Sequence, residues 1–379
     1  MEVHMMGDRN NMFRKFTGLA FCIMTSLIVC LLSPISMNGR FMAVYSKDGN
    51  KITATASAAV KLTGKVKKTS YAKTPAGRHG KLKVKGKKLV DAKGKAFQLK
   101  GVSSHGINWD VGEPFVNEKS IANLRDEWGA NCFRVAMYTE DYNGYCVTDK
   151  ASRKKLLNTI DRAVKAAKKL GMYVIIDWHI LNDGNPKKNQ KQAKSFFKTI
   201  SNKYKKEKHV MYEICNEPNG GTTWTQIKSY ANAVIPVIRK ADKTAIIIVG
   251  TPNWSQDVDV AAASPIKGQK NIMYSVHFYA ATHKDDYSNK VKIAIKKGLP
   301  VICTEFSACE ASGNGNYDFA SANKWIKFLN SNKIGYCCWS LSNKPEAASL
   351  LKPDCKKTGG FTTGNLSAMG KWLVNKYRG

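Results

Sequence analysis

Acidic side chains are scarce in this chain: 28 Asp and Glu face 61 Lys and Arg, leaving a formal net charge of +33 over 379 residues. Taken alone, that balance raises a polyanionic partner, nucleic acid or a charged surface, as the first idea. It also makes each carboxylate at the end of an apolar run conspicuous. No Gly-x-Gly-x-x-Gly turn follows the first predicted strand, which removes the main support for a nucleotide-binding open sheet. Apolar residues are not lacking: at 43% they supply a core for one large domain or two modest ones.

The N-terminal part accounts for some of the imbalance. Arg14 and Lys15 precede the charge-free stretch 16–32, FTGLAFCIMTSLIVCLL, and small and polar residues follow Ser33 and Pro34. This order predicts a secretory signal peptide within residues 1–45. Retention as an N-terminal anchor is the alternative, and 17 residues sit at the short end of a bilayer span. Residues 46–80, rich in Lys, Thr, Ala and Ser without apolar periodicity, read as a linker. Between 61 and 88 there are eleven Lys or Arg and no acid, which reads as a solvated, self-repelling spacer.

From residue 81 the pattern changes. Apolar and basic residues alternate around Lys85-Gly86-Lys87 and Ala92-Lys93-Gly94-Lys95, which predicts short hairpins closing one end of a domain spanning 81–379. Strands are then predicted at 96–102, 131–137, 172–178, 210–215, 245–249, 272–278, 300–304 and 334–339. Amphipathic helical patterns lie between them, such as Leu156, Leu157, Ile160, Val164 and Ala167, or Ile227, Tyr230, Val234, Ile235 and Ile238. Near-continuous apolar strands alternating with helices imply parallel strands covered by helices. Eight such units in about 300 residues suit an α/β fold of the closed (β/α)8 TIM-barrel type with an N-terminal β-hairpin cap.

The unusual residues fall at the C-terminal ends of these strands: His105, Arg134, Asp177-Trp178-His179, Asn216-Glu217, His277 with Tyr279, Glu305 and Trp339. That rim is where barrels build active sites. The stretches VMYEICNEPNG (210–220) and LPVICTEFS (299–307) each deliver a carboxylate, Glu217 and Glu305, to the mouth of an apolar strand. Two such carboxylates can protonate a leaving group and attack the carbon it leaves, the division of labour that glycosidic cleavage needs. His105, His179 and His277 invite zinc. Their placement on strands one, three and six, beside carboxylates with other roles, argues against a metal.

Seven motifs in order, SSHGINW, FRVAMY, IIDWHI, NEPNG, VHFYAATH, TEF and WSLSNKPE, make the chain from residue 81 onward similar to glycoside hydrolase family 5, particularly its bacterial endo-β-1,4-glucanases, the cellulases. The resemblance implies Glu217 as acid/base and Glu305 as nucleophile, supported by Arg134, Asn216, His277 and Tyr279. It implies sugar contacts from His105, Trp109, Tyr138, His179, Trp254, Trp339, Lys344 and Glu346. On this reading Glu305 is ionised beside Arg134 and Tyr279, and its charge keeps Glu217 protonated. A secreted, monomeric, retaining endo-β-1,4-glucanase follows, acting on β-glucan without metal, cofactor or nucleic acid, and without membrane contact once the signal is removed. Another β-glycanase, such as a xyloglucanase, mannanase or lichenase, is the alternative within the class. A catalytically silent wall-binding protein is the alternative outside it.

Cys215 and Cys303 each lie two residues before one of these glutamates. Strand alternation predicts that both point into the barrel as buried thiols, too far apart for a disulfide. Cys146, Cys309 and Cys355 fall in predicted loops and are open to pairing.

Overall fold

Eight short runs rich in Val, Ile, Tyr and Phe form the strands β1 (Lys100–Ser104), β2 (Cys132–Tyr138), β3 (Tyr173–His179), β4 (Val210–Glu213), β5 (Ile247–Val249), β6 (Ile272–Tyr279), β7 (Val301–Ser307) and β8 (Tyr336–Leu341). All neighbours are parallel and β8 closes onto β1, so the eight make a complete barrel, as the strand pattern predicts. This computed structural model describes residues 60–378 together with Val44–Tyr45 and Lys51–Ile52. The chain divides into two units, Met1–Ala56 and Ser57–Gly379. In the first, Val44 pairs with Ile52 and Tyr45 with Lys51 in a short antiparallel ladder. The rest of the expected signal peptide or anchor, and residues 46–50 and 53–59 of the expected linker, lie outside the described residues.

Helices cover the barrel because their sequences start, face and stop in the right places. The helix Lys150–Leu170 begins where the Asp149 carboxylate accepts from the Ser152 amide, and it stops at Gly171 in the left-handed region. Leu156, Ile160, Val164 and Ala167 form its buried stripe, while Leu157 stands at the stripe's edge. In Trp224–Ala241 a capping box joins Thr223 and Gln226, and Ile227, Tyr230, Val234, Ile235 and Ile238 are buried. One large apolar cluster fills the layer between strands and helices. Among the described residues no helix is long and apolar enough to cross a membrane.

The barrel bottom is plugged from the N-terminal side. Lys83–Lys85 pairs with Lys88–Val90 across the turn at Gly86 and Lys87. Leu82 and Leu89 join Phe97, Ile175, Met211, Met273 and Ile302 in a second apolar cluster inside the barrel. Gly101 in β1 is a necessity of close approach, because a Cβ there would lie 2.3 Å from Cys337 Sγ.

One boundary moves. The linker expected over 46–80 is already packed structure from residue 60, for a reason local composition does not carry. The amides of Thr63 and Gly64 donate to the Glu127 carboxylate at 3.0 and 2.7 Å, Leu62 is buried, and the Ala76 amide donates to the Gly171 carbonyl at 2.7 Å. Partners some 60 to 100 residues away order this segment, not periodicity within it.

Candidate active site

Side chains alternate along each strand, so the barrel interior is layered. Above the apolar plug, the same alternation brings polar groups inward. Cys132 is followed by Arg134 and Ala136 in β2, Ile175 by Asp177 and His179 in β3, and Met211 by Glu213 in β4. In β6, Met273 is followed by Ser275, His277 and Tyr279. β7 breaks the rule: Cys303 opposes Tyr336 while Phe306 opposes Cys338, so β7 uses three residues against two in β8. Thr304 and Glu305 both reach the interior in consequence. Cys303 packs in the layer between barrel and helices instead of pointing inside, and Cys215, beyond the last paired residue of β4, joins the same layer. The inward orientation expected of both cysteines is thus corrected. All eight cysteines among the described residues are free thiols, Cys146, Cys309 and Cys355 included.

Arg134 is the hub. Fully buried, its guanidinium donates to Glu213 Oε2 at 2.7 Å, Glu305 Oε2 at 3.1 Å and Asn216 Oδ1 at 2.6 Å, and lies 3.0 Å from Asp177 Oδ2. Burial disfavours its charge, but Asp177, Glu213 and Glu305 more than compensate and hold it firmly protonated. Glu305 also accepts from the Tyr279 hydroxyl at 2.7 Å. Burial pushes the Glu305 carboxyl up, as does the neighbouring Glu217, while His277 and Arg134 oppose the rise. Glu217 has a different environment. Its Oε1 meets His277 Nδ1 at 2.8 Å, and burial pushes it up to about 8, with Arg134 opposing. The ion pair therefore keeps Glu305 the more readily ionised of the two, and Glu217 holds its proton at neutral pH.

The imidazoles are kept neutral by burial: His277 falls to about 4, His105 to about 3, and His179 well below its ordinary value. A neutral ring donates from one nitrogen and accepts at the other. His179 Nδ1 donates to Asp177 Oδ2 at 2.6 Å, and its Nε2 accepts from Asn216 Nδ2 at 3.2 Å. Asn216 is thereby locked between Arg134 and His179. One ligand atom each from Glu217, His277 and Glu305 fall within 4.8 Å of one another, which among the described residues is the group that could hold a metal ion. Both His277 nitrogens, both Glu305 oxygens and Glu217 Oε1 already meet hydrogen-bonding partners, His277 Nδ1 being spent on Glu217.

A cleft of about 600 Å³ opens above these groups. Glu217, Glu305, His277, Tyr279, His105, Tyr138, His179, Trp254, Trp339, Lys344 and Glu346 all line it. Arg134 and Asn216 lie beneath its floor, completely buried. Trp339 stacks at 21° on His179 with ring centroids 5.3 Å apart, and Trp254 stands 43% exposed at the rim. Trp109 does not line this cleft. It forms an aromatic step beside it, edge-on to Tyr138 at 4.7 Å and stacked with Tyr142 at 6.0 Å. Lys344 Nζ and Glu346 Oε2 pair at 2.6 Å, and Glu346 Oε1 lies 3.9 Å from His105 Nε2. Sequence reasoning missed Glu213, Thr304 and Tyr142. Glu213 carried a usable signal, an acid inside an otherwise apolar strand.

The model of the family described as cellulase (glycosyl hydrolase family 5) matches residues 90–345. Endoglucanase A of Butyrivibrio fibrisolvens is 46% identical over 299 residues, covering 79% of this chain and 68% of that protein. An endoglucanase of Clostridium saccharobutylicum is 46% identical over 301 residues, covering 79% of this chain and 65% of the relative. The chain thus spans about two thirds of the length of these two relatives. Among solved structures, the catalytic domain of Thermobifida fusca endoglucanase Cel5A is 37% identical with a TM-score of 0.76, covering 81% of this chain and 100% of that one. A variant of that domain with one Glu replaced by Gln is also known in complex with cellotetraose, at 36% identity and a TM-score of 0.74, again covering 81% of this chain and 100% of that one.

Proposed function

The chain belongs to glycosyl hydrolase family 5, and from that premise we propose that it is a secreted, retaining endo-β-1,4-glucanase, hydrolysing internal bonds of cellulose and related β-glucans by double displacement. The observation that carries this reading is the carboxylate pair. Glu217 and Glu305 face one cleft with ligand atoms within 4.8 Å, one carboxyl in a proton-holding environment and the other beside a guanidinium and a phenol. Retention needs carboxyls about 5 to 5.5 Å apart, whereas an inverting pair leaves about 6.5 to 9.5 Å for a water.

In the first step Glu305 attacks the anomeric carbon while Glu217 gives its proton to the departing glycosidic oxygen. The second step reverses the roles: Glu217 takes a proton from water, which displaces Glu305 from the covalent glycosyl-enzyme. Asn216, held by Arg134 and His179, is set to bind the 2-hydroxyl, a contact that strengthens as positive charge develops on the ring. Trp339 and Trp254 offer indole faces to the apolar faces of sugars. The cellotetraose bound by the Thermobifida relative supports a glucan chain as the occupant. Export is supported by the charge-free stretch 16–32 behind Arg14 and Lys15.

A panel of neutral soluble polymers tests the substrate. Hydroxyethyl cellulose should be cleaved faster than mannan, xylan or xyloglucan, with viscosity falling before reducing ends accumulate. Faster cleavage of one of the other backbones would reassign the substrate, and no cleavage of any would refute a hydrolase reading.

A further inference from the structure

The acid/base is not held by His277 alone. His277 Nε2 lies 2.8 Å from Thr304 Oγ1, and the Thr304 hydroxyl donates to Glu213 Oε1 at 2.5 Å. The other Glu213 oxygen accepts from Arg134 Nε at 2.7 Å, and Arg134 donates in turn to Glu305. A hydrogen-bonded chain therefore runs inside the barrel from the acid/base to the nucleophile: Glu217, His277, Thr304, Glu213, Arg134, Glu305. Glu213 and Thr304 have no exposed surface and do not line the cleft; they meet it through His277.

The chain has a direction. Between Thr304 and Glu213 the hydroxyl donates to the carboxylate, which burial pushes up while its hydrogen bond from Arg134 opposes the rise. Thr304 Oγ1 is then left to accept from His277, so the imidazole hydrogen sits on Nε2. Nδ1 is bare, and a bare nitrogen 2.8 Å from a carboxyl is satisfied only when that carboxyl carries the proton. We infer that Glu213, acting through Thr304, is a positioning residue that fixes the His277 tautomer and so keeps the catalytic proton on Glu217. This inference rests on the assignment of Glu217 as acid/base. The other groups around the chain work differently: Asp177 is committed to Arg134 and His179, Tyr279 to Glu305, and Ser275 Oγ meets Thr304 Oγ1.

Three variants isolate the effect. Thr304→Val keeps the volume and leaves Glu213 paired with Arg134, but removes the relay hydroxyl; Thr304→Ser restores it; Glu213→Gln replaces the carboxylate acceptor with an amide. In Thr304→Val and Glu213→Gln the basic limb of the kcat/KM profile should move down by about one pH unit, because Glu217 then loses its proton more easily. Thr304→Ser should keep the profile of the unaltered enzyme. The loss should be confined to substrates with poor leaving groups. An aryl β-cellobioside whose phenolate departs unprotonated should form its glycosyl-enzyme in the variants at nearly the unaltered rate. Nitrogen-15 NMR of the imidazole should report Nε2–H in the unaltered protein and an altered tautomer ratio in Thr304→Val. An unmoved basic limb in a folded Thr304→Val protein, or an Nδ1–H tautomer in the unaltered enzyme, would overturn the inference. Failure of the underlying assignment looks different: removing Glu217 itself would then leave the basic limb and the leaving-group dependence intact.

Discussion

At the residue scale, the proposed mechanism gives two glutamates with the same covalent structure opposite duties because their neighbours differ. Glu305 receives hydrogen bonds from a guanidinium and a phenol, whereas Glu217 meets only a neutral imidazole. The sign of the pH dependence follows. On the proposed mechanism activity needs Glu217 protonated and Glu305 ionised, so kcat/KM should fall at high pH as Glu217, pushed up to about 8 by burial, loses its proton, and fall again at low pH as Glu305 gains one. A single rising profile with no alkaline fall would contradict this pairing. Removing each carboxyl should fail in its own way. Glu305→Ala should abolish turnover, with azide then attacking from the opposite face to give an α-glycosyl azide. Glu217→Ala should still form the glycosyl-enzyme from an activated aryl glycoside, and azide should release it as a β-azide. Swapped azide products would reverse the assignment. Arg134→Met should be costly by about 3 to 5 kcal/mol in thermal or chemical unfolding, because three buried carboxylates would lose their counter-charge.

At the element scale, the strands do the positioning, and their legibility differs from end to end. The ends that open onto the cleft were readable because acids are rare in this chain and stop apolar runs there, as at Glu217 and Glu305. Glu213 and Thr304 sit within those same runs. Their meaning depends on neighbours across the barrel, which one strand's sequence does not contain. The bulge in β7 was equally hidden, and it turned Cys303 out of the barrel while bringing Glu305 in. Residues 60–80 looked like linker because their partners, Glu127, Gly171 and Thr363, are distant in the chain. The resemblance places Trp109 in the cleft, yet it packs edge-on against the cleft-lining Tyr138 and His105 without lining the cleft itself. The hairpin plug yields its own test. Leu89→Ala removes a side chain that is 2% exposed at the bottom of the barrel, and should lower unfolding stability by about 2 to 5 kcal/mol while leaving KM near its original value. An equal loss of KM and stability would mean that the plug reaches the cleft.

At the scale of the whole molecule, charge and catalysis are separate matters. The formal +33 is carried largely by exposed lysines, including those of the hairpin plug, while the groups that line the cleft include one lysine, Lys344, already paired with Glu346. A neutral glucan offers nothing for the surface charge to attract, and exposed charges are screened beyond about 8 Å at physiological ionic strength. Activity on a neutral soluble glucan should therefore change little between low and moderate salt; a steep fall with the fold intact would point to a charged substrate. The central claim, a retaining double displacement through Glu305 and Glu217, is tested most directly by the anomeric configuration of the first product. Proton NMR of an early time course on a cello-oligosaccharide, before mutarotation, should show the newly formed reducing end in the β configuration; an α anomer appearing first would contradict the account.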